Sequence, residues 1–92
     1  PQVFCTLGIH PHDGGSYTAE AEKFIRENLQ RPEVIAVGEI GLDYYYEHSS
    51  VEDQKKAFRS QLEIAQEFKM PIEIHTRDAE ADTIEILKDF KG

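Results

Sequence analysis

Three runs of apolar and β-branched residues divide the chain, and each is followed by a segment of helical periodicity. Runs that are apolar at nearly every position are typical of strands buried on both faces, whereas spacing of three to four residues indicates helices. The strands are predicted at residues 3–9, 34–40 and 72–75, and the helices at 18–29, 50–69 and from 78 onward. The order β-α-β-α-β-α predicts an α/β fold with parallel strands joined by right-handed crossovers.

The predicted element ends carry ordinary boundary signals. Ser50 with Asp53 three residues later resembles a capping box, and Asp78 is a suitable N-cap for the last helix. Residues 10–16 combine histidine, proline and glycine, which predicts a loop. Cys5 falls in the middle of the first strand, so we expect a small buried residue there.

Each predicted strand ends in a residue that can do chemistry: His10, Glu39 and His75. In parallel α/β folds the carboxyl ends of the strands share one rim, where active sites are built. These side chains are ligands for Zn, Mn or Mg. Glu39 lies among apolar residues, so we expect it to be buried and therefore paired or metal-bound. The alternatives are loop histidines and a structural salt bridge.

Further residues near the predicted rim have open interpretations. His10 and His12 flank Pro11, which stiffens the turn and can aim the two rings together or apart. Arg77 follows His75 by two positions and is able to clamp a phosphate, or else to pair with an acid. Asp43 and the tyrosines at 44–46 either line a pocket or pack the loop against a helix.

The composition argues against several classes of protein. The 92 residues carry 10 basic and 18 acidic side chains, a net charge of −8, which argues against nucleic-acid binding through a broad basic surface. A single cysteine excludes an internal disulfide framework and fits a reducing cytoplasm. No apolar run approaches the roughly 20 residues that span a bilayer, and no secretory leader is recognisable.

Three motifs together resemble the TatD family of metal-dependent deoxyribonucleases, which are amidohydrolase-like TIM barrels. They are Gly8-Ile9-His10-Pro11-His12, Gly38-Glu39-Ile40-Gly41-Leu42-Asp43-Tyr44 and Ile74-His75-Thr76-Arg77-Asp78-Ala79. The segment from Gln54 to Ala65 also fits, so the resemblance covers essentially the whole chain, and the motif around Glu39 is highly specific.

The resemblance implies a (β/α)8 barrel with a divalent metal site at the carboxyl rim. The metal is expected to be Mg, Mn or Zn, with two ions in the intact fold. By motif match, Glu39 is the catalytic carboxylate that bridges the metals and His75 is a metal ligand. His10 and Arg77 are the residues expected to contact the substrate phosphate. The implied reaction is hydrolysis of phosphodiester bonds in DNA.

Length sets a limit on that expectation. A TIM barrel takes about 250 residues, about 31 for each βα unit, so residues 1–92 correspond to roughly three units of a partial hydrolase domain. The family's N-terminal His-x-His pair, a further histidine and a late aspartate have no counterpart here. Glu73 shares a face with His75 where an aliphatic residue is expected.

The incomplete barrel leaves three functions open. They are a DNase in the intact protein, a hydrolase of a small ester, amide or lactone on the same scaffold, and an inactive α/β binding fragment. Alone, an open sheet with two free edges is expected to associate or to be unstable.

Overall fold

The computed structural model describes residues 4–45 and 49–90. Its elements follow the predicted order, with one short helix added. They are β1 (Cys5–Leu7), a 3-10 helix (Pro11–Ser16), α1 (Ala19–Asn28), β2 (Val34–Asp43), α2 (Val51–Phe68), β3 (Ile72–Arg77) and α3 (Glu80–Lys88). The segment predicted to be a loop at residues 10–16 therefore forms a helical turn, with Pro11 at the first position, where its missing N–H costs nothing.

The strands form one parallel sheet in the order β1-β2-β3. The predicted α/β architecture of consecutive βα units is confirmed. β2 is the central strand and carries both neighbours, so it is the longest, running ten residues. The parallel register aligns Gly41 with His75 and Asp43 with Arg77, and therefore the carboxyl ends of β2 and β3 lie side by side.

The core lies between the sheet and the helices, and the middle of β2 is its centre. Val37, Ile40 and Leu42 are fully buried, and so is Phe58 on α2. Leu62, Ile64 and Ala65 of α2, Ile25 and Leu29 of the α1 segment and Ile86 of α3 complete the cluster. Burying one side chain such as Phe58 contributes about 1.5–3 kcal/mol, so this layer holds the strands against α2.

One of the two capping features predicted at helix starts is confirmed. The hydroxyl of Ser50 accepts a hydrogen bond from the Asp53 amide at 3.1 Å, and Thr18 does the same for Ala21 at the start of α1. The prediction for Asp78 was wrong. Asp78 has a left-handed backbone with φ of 54°, and α3 begins one residue later with Ala79 at the N-cap position and no side-chain cap.

The outer strands are exposed. Cys5, predicted to be buried, is exposed because β1 is an edge strand of only three residues. Ile72 and Ile74 of β3 and Ile35 of β2 also expose a third or more of their surface. Among the described residues, no helix combines the length and apolar character needed to cross a membrane.

Candidate metal centre

His10, Glu39 and His75 meet near the carboxyl edge of the sheet: His10 follows β1 by three residues, Glu39 lies within β2 and His75 lies within β3. The three side chains each offer one ligand atom, and these atoms lie within 4.8 Å of one another. The His10 Nε2 is 3.3 Å from the Glu39 Oε1, and the rings of His10 and His75 are 4.8 Å apart. The sequence placed these residues at three strand ends, and the parallel sheet brings them together.

Glu39 is not buried, and that expectation was wrong. Its side chain is 48% exposed, although Gly38 and Ile40 on either side are buried. The register between β2 and β3 slips at this point, pairing Gly38 with Glu73 and Ile40 with Ile74, so that Glu39 is an extra residue in the ladder. Such a bulge redirects a side chain, and here it aims the carboxylate at the histidines instead of the core.

The odd position of Glu73 also has a structural account. Glu73 is exposed and lies opposite Gly38 in the register. A Cβ at Gly38 would come within 2.6 Å of the Cβ of Glu73 and 2.9 Å of its carbonyl oxygen. Glycine at position 38 therefore makes room for β3 immediately before the bulge.

A second cluster shares His75 and consists of His12, Asp43 and His75. The Asp43 Oδ2 lies 2.8 Å from the His75 Nε2 and 3.0 Å from the His12 Nε2. Asp43 is only 1% exposed, whereas the two histidines are about a third exposed. The 3-10 helix turns His12 back toward the sheet, so that its ring meets that of His10 at 4.4 Å. The rings flanking Pro11 are thus aimed together.

The local environment fixes how His10 is protonated. Its Nδ1 accepts a hydrogen bond from the His12 main-chain N–H at 3.1 Å, so the proton of the neutral ring is on Nε2, facing Glu39. The pKa of His10 is lowered, first by burial, which disfavours the charged ring, and then by electrostatic interaction with His12 and His75. Neutral His10 is therefore an N–H donor at the rim.

Two buried glutamines of α2 hold the strand ends. Gln54 accepts a hydrogen bond from the main-chain N–H of Asp43 at 2.8 Å and donates to its carbonyl at 3.0 Å. Gln61 makes the equivalent pair with Ile9, just before His10, at 2.6 and 3.2 Å. Both glutamines are essentially unexposed. Gln54 and Gln61 were missed as site residues, and the signal that could have found them was two glutamines seven apart on an otherwise apolar helix face. Asp43 was considered only as a residue that lines a pocket or packs the loop, and its contact with the two histidines was not predicted.

Arg77 and the tyrosines belong to the rim without joining either cluster. The Arg77 guanidinium lies 4.1 Å from the centre of the Tyr45 ring, a cation–π contact that supports the side chain at the end of β3. The Tyr44 hydroxyl donates to the Asp82 carboxylate at 2.7 Å, which packs the loop against α3. Tyr46, also part of the tyrosine prediction, lies outside the described residues.

The donor set fits a divalent ion. Imidazole nitrogens and carboxylate oxygens are the ligands taken by Zn and Mn, and carboxylates serve Mg. Both clusters mix these donors at one edge, and Glu39 has its carboxylate half-exposed where solvent and a substrate have access. The structure therefore brings together side chains that could hold a divalent ion, at the edge of the sheet where parallel folds have their active sites.

Comparison with known proteins identifies the family. The family model described as TatD related DNase matches residues 1–92. The chain belongs to this family. The TatD relatives are homologous hydrolases: the chain is 43% identical over 88 residues to the 3'-5' ssDNA/RNA exonuclease TatD of Escherichia fergusonii, covering 96% of this chain and 34% of that protein.

Other TatD-family proteins give the same picture. The uncharacterized metal-dependent hydrolase YabD of Bacillus subtilis is 40% identical over 87 residues, 95% of this chain and 34% of YabD. The crystal structure of YJJV, a TatD homologue from Escherichia coli K12, superimposes with a TM-score of 0.86 at 28% identity, over 95% of this chain and 34% of YJJV. The chain thus spans about a third of the length of the relatives it matches, and it has the fold of part of such a TIM barrel.

Proposed function

We propose that this chain is part of a divalent-metal-dependent hydrolase that cleaves phosphodiester bonds in DNA. The observation that carries the proposal is the convergence of His10, Glu39 and His75 at the carboxyl edge of the sheet. Family membership supports the reaction type, because the relatives are named as exonucleases and as a metal-dependent hydrolase. The cytoplasm is the proposed location, on the argument from the single cysteine.

In this proposal Glu39 and His75 would hold the divalent metal, Mg, Mn or Zn, and Glu39 would be the ligand shared by two ions in the complete site. A bound divalent ion supplies Lewis acidity toward a phosphoryl oxygen and lowers the pKa of a bound water. His10 contributes its Nε2–H to a phosphate oxygen, since its Nδ1 is committed to the His12 amide. Arg77, supported by the Tyr45 ring, binds phosphate through its planar N–H groups.

The acidic composition is consistent with this assignment. A net charge of −8 disfavours long-range attraction to a polyanion, so binding must come from local contacts. One arginine, a histidine N–H donor and metal ions at a single rim provide such contacts without a basic surface. Affinity for DNA is therefore expected to depend on the divalent ion more than on the salt concentration.

We further propose that residues 1–92 make up about three of the eight βα units of a barrel. The support is the 34% share of each relative that the chain covers. Intact mass spectrometry of the native protein tests this. A polypeptide of about 250 residues supports it. A mass corresponding to 92 residues contradicts it, and we would then expect association through the exposed edges and no nuclease activity.

The function is tested in the full-length protein with Mn²⁺ or Mg²⁺ and single-stranded DNA. Glu39→Gln keeps the shape of the side chain and removes its charge, and we expect at least about a 100-fold loss of cleavage, beyond the 10–100-fold typical of residues that only support ligands. Glu33→Gln is the matched control, because Glu33 is exposed in the turn before β2. We expect His75→Ala to be inactive as well.

Three results would contradict the assignment. Full cleavage by Glu39→Gln and His75→Ala would remove both residues from the site. Hydrolysis of a small ester, amide or lactone with no cleavage of DNA would assign the other hydrolase function. No binding of divalent ions at millimolar concentration would indicate a binding module without catalysis.

A further inference from the structure

Asp43 is a buried residue of the candidate site that has no role in the reaction proposed above. Its carboxylate is 1% exposed at the end of β2, four residues beyond Glu39. One oxygen, Oδ1, accepts the main-chain N–H of Tyr45 at 3.0 Å. The other, Oδ2, lies within hydrogen-bonding distance of two histidine Nε2 atoms, those of His12 and His75. A carboxylate this deeply buried is costly unless such partners satisfy it.

The chemistry of the carboxylate decides where the histidine protons are. An ionised carboxylate only accepts hydrogen bonds, so with Asp43 ionised both Nε2 atoms facing Oδ2 would carry hydrogen. A neutral histidine with hydrogen on Nε2 has its lone pair on Nδ1. In that arrangement the Nδ1 of His75 would be the nitrogen available to a metal.

The side chain of Gln54 holds the main chain of Asp43 in place. Gln54, fully buried on α2, bonds both the N–H and the carbonyl of Asp43, and it also donates to the Ser49 carbonyl at 3.0 Å. The carboxylate thus starts from a fixed backbone, and its two oxygens are directed by separate partners. A side chain held in this way orients the ring it contacts, which is how carboxylates behind metal-binding histidines act in general.

We propose that Asp43 is a positioning residue that fixes His75 with hydrogen on Nε2 and presents Nδ1 to the metal, while also fixing the ring of His12. This inference rests on the proposed function for the presence of a metal, but the state of the ring exists without one. His10 is set differently, because its Nδ1 is occupied by the His12 amide. His75 and His10 therefore differ in the group that each presents at the rim. His75 presents the lone pair of Nδ1 to a metal, whereas His10 presents the N–H of Nε2.

The first test uses nuclear magnetic resonance on the metal-free full-length protein with ¹⁵N-labelled histidine at pH 8, where an ordinary histidine is neutral. We expect the unaltered protein to show His75 with its proton on Nε2. In Asp43→Asn the amide NH₂ faces both histidines and donates to them, so the proton of His75 should move to Nδ1. Asp53→Asn is the charge-matched control, because Asp53 is exposed in the first turn of α2, and it should leave His75 unchanged.

The second test measures Mn²⁺ binding to the same three proteins by titration calorimetry. We expect Asp43→Asn to bind about 10–100-fold more weakly and Asp53→Asn to bind like the unaltered protein. His75 carrying its proton on Nδ1, or on both nitrogens, in the unaltered protein would overturn the inference. Equal Mn²⁺ affinity of Asp43→Asn and the unaltered protein would overturn it too.

These readouts separate the inference from the proposed function. The ring state is read without metal or DNA, and in the unaltered protein it needs no variant to fold. If His75 has its proton on Nε2 and Asp43→Asn weakens Mn²⁺ binding, but no DNA is cleaved, the positioning role stands and the nuclease assignment fails. If DNA is cleaved and His75 is protonated on Nδ1, the reverse conclusion follows.

Discussion

Gln54→Leu is expected to lower both the free energy of unfolding and the metal affinity of the proposed site. The leucine has a similar size but makes none of the three hydrogen bonds of the amide. The N–H and the carbonyl of Asp43 each then lose a buried hydrogen bond, at about 1–3 kcal/mol each, or about 2–6 kcal/mol together. The Ser49 carbonyl belongs to a half-buried residue, so water replaces its partner.

The apolar leucine returns part of this loss. A fully buried leucine contributes about 1.5–3 kcal/mol, and Gln54 is completely buried, so the net destabilisation is about 1–3 kcal/mol. Gln66→Leu is the matched control, because Gln66 is exposed on the same helix, two residues before α2 ends at Phe68. Urea unfolding of the full-length protein gives the free energy difference, and calorimetry gives Mn²⁺ affinity. A Gln54→Leu protein as stable as the Gln66→Leu protein would refute the reasoning.

Three further changes test separate contacts. Gly41→Ala should lower the free energy of unfolding by about 1–3 kcal/mol, because Gly41 has a φ of 133° and the new Cβ would lie against the His75 carbonyl oxygen. Thermal unfolding measures this, and an unchanged melting temperature would contradict it. Ser50→Ala should lose about 1 kcal/mol in urea by removing the cap of α2. Tyr44→Phe removes the hydrogen bond that lowers the pKa of Asp82, so it should destabilise at pH 7, and the difference should vanish as pH falls well below 3.8; a constant difference would contradict it.

The sequence predicts the fold well because the fold depends on periodicity. Continuous apolar runs separated by helical segments are enough to indicate parallel strands with crossovers, and the structure has that order and topology. The same reasoning places His10, Glu39 and His75 at strand ends. Their convergence then follows from the parallel arrangement, since equivalent ends of parallel strands are neighbours.

The details of the rim do not follow from periodicity. The bulge that exposes Glu39 comes from a slip in pairing between two strands, which no pattern within β2 records. The direction of His12 depends on a 3-10 turn after Pro11, and proline alone permits either direction. Asp43 looked like a loop residue because Gly41 precedes it, yet β2 continues through Gly41 with a positive φ and ends at Asp43.

The strand ends are positioned by polar bonds, and this explains why a site can form at the margin of an apolar core. Apolar burial is not directional, so it brings the sheet to α2 without fixing the ends of the strands. Hydrogen bonds are directional, and each end has its own: Gln61 holds Ile9 of the β1 segment, Gln54 holds Asp43 of β2, and Asp43 holds His75 of β3. The contacts of Gln54 and Asp43 connect the buried face of α2 to the His75 ring. A substitution of either glutamine should therefore change the distances between the rim residues more than it changes the packing of the apolar core.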